Sequence, residues 1–128
     1  MALFHTSFSN YDIVSITGDL TVNVLPAVSP EMTRLINNVP NRDLVLDLSK
    51  TNAVDSSALR LFINLQKKLV PQNRHFFILS PTETVLQAIR NTNLDKVLSV
   101  VLDMGALDNV VTEAYINRYA HFSQEESG

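Results

Sequence analysis

The chain has no cysteine and only three glycines among its 128 residues, at positions 18, 105 and 128. The missing cysteines exclude disulfides and thiolate chemistry, and they suit a reducing compartment such as the cytoplasm. So few glycines leave neither a Gly-rich phosphate loop nor a Gly-x-Ser-x-Gly nucleophile elbow. No apolar run has the length to cross a bilayer, and the N-terminus lacks a charged region followed by an apolar stretch, so a soluble protein with no membrane insertion is expected. A large excess of either charge is missing as well. Ten Lys and Arg against thirteen Asp and Glu give a net charge of −3, and the basic residues look scattered along the chain, which argues against a nucleic-acid partner. His5, His75 and His121 form no i, i+4 pair and stand near no acidic cluster at metal spacing. Neither a metal, a cofactor nor an enzymatic activity of its own is expected.

What is present is a short apolar run joined to a polar helix start. Leu44-Val45-Leu46-Asp47-Leu48-Ser49 is bounded by Arg42-Asp43 and by Lys50-Thr51-Asn52, as expected of a strand buried on both faces. Its carboxyl end points into a loop that ends at Val54. From Ala58 onward Ala58, Leu61, Phe62, Leu65 and Leu69 recur at three- and four-residue steps, with Arg60, Asn64, Gln66, Lys67 and Lys68 mainly on the other side. That spacing predicts an amphipathic helix of about four turns.

Asp55 stands just before the helix and is a favoured N-cap, because its carboxylate can accept from N–H groups that have no partner within the first turn. Lys67 and Lys68 near the other end match the helix macrodipole. A phosphate on Ser56 would bring about −1.5 to −2 charges to those free N–H groups. It would also repel an acidic partner surface. Asp-Ser-Ser at a helix start is equally ordinary capping chemistry, and the tripeptide alone decides nothing.

The remaining pattern alternates strands and helices. Leu3 to Phe8 and Tyr11 to Thr17 read as a hairpin with Ser9-Asn10 at its tip, followed by a Gly18-Asp19 turn. A first helix is expected from about Pro30, capped by Ser29, through Asn37, with Pro26 and Pro40 outside it. Pro71-Gln72-Asn73 reads as a turn and His75 to Leu79 as a buried strand. A helix opens at Ser80-Pro81-Thr82-Glu83, with proline at its first position and Val85, Leu86 and Ile89 as its stripe. Val97 to Leu102 reads as the last strand. A final helix follows, with apolar positions 107, 110, 111, 114 and 115, extended through Asn117 to Phe122 before a polar frayed tail at 123–128. The whole predicts one layered α/β domain over 1–122, with a mostly parallel sheet, an N-terminal hairpin strand and about four helices.

Leu46-Asp47-Leu48-Ser49, then Val54-Asp55-Ser56-Ser57-Ala58-Leu59, resembles the STAS family, the bacterial anti-sigma factor antagonists and their relatives. Ile13-Val14-Ser15-Ile16-Thr17-Gly18-Asp19-Leu20 is similar to that family's second strand and the turn after it, and Asn93-Leu94-Asp95-Lys96-Val97-Leu98 to the segment leading into its last strand. The likeness spans roughly Phe4 to Leu102. It implies that Ser56, directly after the aspartate, is the phosphorylated serine, with Ser57 as a secondary site. It further implies a partner-binding surface of Gly18, Asp19, Leu20, Asp55, Ser56 and Ser57, which Ala58 and Arg60 join by their position, with Asp47 as a structural neighbour. The implied partners are an anti-sigma factor or serine kinase of the histidine-kinase-like ATPase type, and a PP2C-type phosphatase.

One departure stands inside the motif. Where the family has Gly-Leu-Gly this chain has Ala58-Leu59-Arg60, and Arg60 places a cation about one turn after Ser56. It reads either as a phosphate partner or as a solvated surface arginine. A receiver domain phosphorylated on Asp47 would need an acidic pair after the first strand, where Phe8-Ser9-Asn10 stands instead. The nearer alternative keeps the fold without the switch, as a constitutive scaffold or subunit of a multi-protein assembly.

Overall fold

Apolar residues at two-residue steps build the strands and apolar residues at helical steps build the layers over them. The computed structural model describes residues 2–8, 10–38, 42–113 and 116. Its strands are β1 (Ala2–Ser7), β2 (Tyr11–Thr17), β3 (Asp43–Lys50), β4 (Phe76–Leu79) and β5 (Ser99–Val101). They form one sheet in the order β1-β2-β3-β4-β5, with β1 antiparallel to β2 and every other pair parallel. The helices are α1 (Leu25–Asn38), α2 (Ser56–Leu69), α3 (Glu83–Asn91) and α4 (104–113).

Alternation along the strands divides the core in two. Val14, Ile16, Leu44, Leu46, Leu48, Phe76 and Ile78 pack with buried residues of α1, α2 and α3. Tyr11, Ile13, Val45, Phe77, Leu79 and Val101 point the other way and are covered by Leu107 and Val111 of α4. Three helices therefore lie on one face and one on the other. The apolar side of α2 (Ala58, Leu59, Phe62, Leu65 and Leu69) is buried. Phe62 is fully buried, and truncating such a side chain to alanine costs about 3–5 kcal/mol.

Three expected boundaries move. α1 begins at Leu25, so Pro30 lies inside it rather than in its first turn, and Pro26 takes that early place. The buried stripe Val28, Met32, Leu35 and Ile36 explains this, because Val28 lies ahead of Pro30 and its burial draws the helix back. α3 is capped by Thr82, which leaves Pro81 outside. β5 has three residues only, since Leu94–Lys96 forms a 3₁₀ turn and Val97 is exposed. Of the hairpin tip, Ser9 lies outside the described residues, as do Pro40 and the expected helical and tail positions 114, 115 and 117–128.

Where β2 and β3 begin, charged groups are packed together. Asp12 is buried and accepts from Ser7 Oγ at 2.7 Å and Arg42 Nε at 3.0 Å, with His5 Nε2 at 3.0 Å. Burial pushes the Asp12 carboxyl up, but the bonds from Arg42, Ser7 and His5 outweigh it and hold it below the usual carboxylate range. Arg74 is also buried and donates to the carbonyls of Arg42 at 2.7 Å and Ile36 at 2.8 Å. Burial lowers its guanidinium, opposed by Asp43 and Asp12, and arginine stays charged regardless.

Candidate functional site

At the opposite end, where β2 and β3 finish, the two loops that follow them are joined side by side. Gly18 N donates to Lys50 O at 2.9 Å and Leu20 N to Ala53 O at 2.9 Å, and Leu20 forms a lone parallel bridge with Val54. Val22 N then donates to Asp55 Oδ2 at 2.8 Å. Gly18 has φ 104, a conformation that side-chain-bearing residues rarely adopt. Its glycine lets the chain leave β2 alongside the next loop.

Thr51 ties the platform down from beneath. It is fully buried, donates through Oγ1 to Ile16 O at 2.9 Å, and its own carbonyl accepts from Thr82 Oγ1 at 2.9 Å. The loops that follow β2, β3 and β4 are thus fixed to one another.

Asp55 is the N-cap of α2. Its Oδ1 accepts from Ala58 N at 3.0 Å while Oδ2 holds Val22 N. These bonds, the one from Val22 first and the one from Ala58 next, hold its carboxyl below the usual carboxylate range. One side chain therefore clamps the loop ahead of α1 to the first turn of α2. Ser56 follows at the first helical position, exposed, and Ser57 is half-buried. Neither hydroxyl has a hydrogen-bond partner among the described residues, so Ser56 Oγ stands open to a reagent from outside.

The other expected residues take different places. Gly18, Asp19 and Leu20 come up against the loop that ends at Asp55; Asp19 is exposed and Leu20 fully buried. Ala58 is fully buried in the core, while Arg60 is exposed and unpaired among the described residues. Asp47 shares the side of β3 with Val45, facing away from α2, and is held by Ser15 Oγ at 2.9 Å and Ser49 N at 3.0 Å. The structure does not bring it to Ser56. Val22 and Thr51 were not singled out by the sequence, because their roles rest on contacts with loops distant in the chain. Val22 is 57% exposed, which sets an apolar side chain beside the Asp55 cap.

No group of three or more His, Cys, Asp or Glu that would hold a metal ion occurs among the described residues, and no helix among them is long and apolar enough to cross a membrane. What the arrangement offers is an open hydroxyl at a capped helix start, within an α/β domain. The sequence matches the STAS domain family over residues 8–114, and the chain belongs to that family. Solved structures agree on the fold. A Thermotoga maritima protein provisionally assigned as an anti-sigma factor antagonist superposes with a TM-score of 0.80 at 19% identity, over 86% of this chain and 94% of its own. An anti-sigma factor antagonist from Mycobacterium paratuberculosis gives 0.76 at 22% identity, over 85% and 92%. The anti-sigma factor antagonist SpoIIAA in its unphosphorylated form gives 0.64 at 14% identity, over 85% and 97%.

Proposed function

We propose that this protein is a phosphorylation-controlled interaction switch of the anti-sigma factor antagonist type. The observation that carries the reading is the exposed, unengaged Ser56 hydroxyl at the first position of a helix whose cap, Asp55, is locked to the neighbouring loop. In the unphosphorylated form the surface of Gly18, Asp19, Ser56, Ser57 and Arg60 binds an anti-sigma factor or serine kinase of the histidine-kinase-like ATPase type, and the partner releases its other client. Leu20 and Ala58 act from behind, by shaping the platform. The partner's ATP then supplies the phosphoryl group. Ser56 Oγ attacks the γ-phosphorus, ADP leaves, and the hydroxyl proton passes to a base of the kinase.

The phosphate adds about −1.5 to −2 charges where there was a neutral hydroxyl. Like charges across an interface cost several kcal/mol, sufficient for a two-state release. A PP2C-type phosphatase restores the serine. The chain itself contributes no cofactor to the cycle and acts in the cytoplasm, as signalling to transcription requires.

The test is intact mass with site mapping on protein from its native cells, before and after deletion of PP2C-type phosphatases, together with partner capture by Ser56→Ala and Ser56→Asp. One phosphate on Ser56, tight capture by Ser56→Ala and weak capture by Ser56→Asp are expected. No phosphate in either strain, with equal capture by both variants, would leave a constitutive subunit of an assembly in place of a switch.

A further inference from the structure

Ten cations are spread along the sequence, but α2 holds three of them, Arg60, Lys67 and Lys68, and no acid. At 100° per residue, Ser56, Arg60 and Lys67 fall within about 40° of one another around the helix axis, in a row about 16 Å long. All three are exposed. Beside this row, α1 and α2 enclose a shallow open groove. Half-buried Leu61, with the edge of buried Leu65 beneath it, gives it an apolar lining, Ser29 and Thr33 of α1 form its other wall, and Lys67 and Lys68 close one end. None of the residues lining it is acidic. Glu31 of α1 is already paired with Arg34 at 2.8 Å. A protein of net charge −3 has therefore gathered a cationic row and an apolar groove on the helix that begins with Ser56.

We infer that the α1–α2 groove and this row are a docking surface for an acidic amphipathic helical segment of the partner protein. Apolar side chains of that segment pack on Leu61, and its carboxylates meet Arg60, Lys67 and Lys68. The inference rests on the switch reading for its partner and extends it. A phosphate on Ser56 joins the same row, so it competes with the partner's carboxylates for Arg60 and repels them directly. Phosphorylation would then weaken a contact that reaches well beyond the serine.

The groove is tested with a synthetic 18-residue amphipathic helix of leucine and glutamate, titrated into the full chain and followed by amide chemical shifts. Shifts at Thr33, Leu61, Leu65, Lys67 and Lys68 are expected, with affinity falling at least about tenfold in Lys67→Glu/Lys68→Glu and falling as salt rises. Lys67→Gln/Lys68→Gln, which leaves the helix end uncharged, should show an intermediate loss. Equal binding of the leucine–lysine counterpart peptide, shifts confined to another face, or tighter binding of phosphatidylserine vesicles than of the acidic peptide would each overturn the inference. Ser56→Asp separates the two readings. If the peptide binds as expected while Ser56→Asp captures the cellular partner as well as wild type, the groove stands and the switch falls. If Ser56→Asp releases the partner while the lysine variants keep it, the switch stands and the groove falls.

Discussion

At the end of the sheet where β2 and β3 begin, the chain is held by charged side chains: Asp12 with Arg42, His5 and Ser7, and Arg74 across the carbonyls of Ile36 and Arg42. At the end where those strands finish, it is held by backbone amides, two threonine hydroxyls and the partly exposed carboxylates of Asp47 and Asp55. Buried charges tolerate little change around them, because losing a partner leaves an uncompensated charge. Hydrogen bonds that are mostly neutral carry no such risk. The end that receives a new charge in the proposed cycle is the one built without buried ions.

The largest effect should come from breaking the charged end. Arg74→Met strands the carbonyls it serves and removes the counter-charge near Asp43 and Asp12, so urea unfolding should lose about 3–5 kcal/mol. Partner capture per folded molecule should not change. Next, Gly18→Ala forces a side chain into a φ of 104 and should cost about 1–3 kcal/mol, with capture also impaired because the loop carrying Val22 is displaced. Equal capture would unlink that loop from the site.

Asp55→Ala should lower the thermal midpoint less than Gly18→Ala does, while speeding exchange of the Val22 amide on the order of tenfold, since that amide loses its acceptor. Acid should reproduce this locally. The folded protein holds the Asp55 carboxyl below the ordinary aspartate value of about 3.9, so the clamp is complete above that value and is lost as pH falls through the folded one. A Val22 amide shift that titrates at or above the ordinary value would contradict the clamp. Smallest of all, Arg60→Ala touches no ion pair among the described residues and should change stability by under about 0.5 kcal/mol. Its effect should appear only in partner binding.

Most of the sheet and α2 were legible because burial writes itself into period: Leu44 to Leu48 as a run, Ala58 to Leu69 as a stripe. Asp55 was legible as a cap from its side chain and place. The start of α1 was not, because Pro30 gave a strong first-turn signal and the stripe that runs back to Val28 was the better guide. Val22 and Thr51 left no local mark. A valine in a turn and a threonine in a loop are commonplace, and each gains its role from a residue more than thirty positions away. The cations of α2 were legible on the polar side of the expected helix, but the groove beside them was not, because Ser29 and Thr33 come from a helix far away in the chain.

The amides of Gly18, Leu20 and Val22 donate at two-residue steps to Lys50, Ala53 and the side chain of Asp55. The pairing of β2 with β3 thus runs on past the strands, and a carboxylate serves as its last rung. A ribbon of that kind counts residues. Inserting one between Gly18 and Val22 would turn Leu20 outward and carry Val22 off its acceptor, so this connection, unlike most surface loops, is closed to length variation.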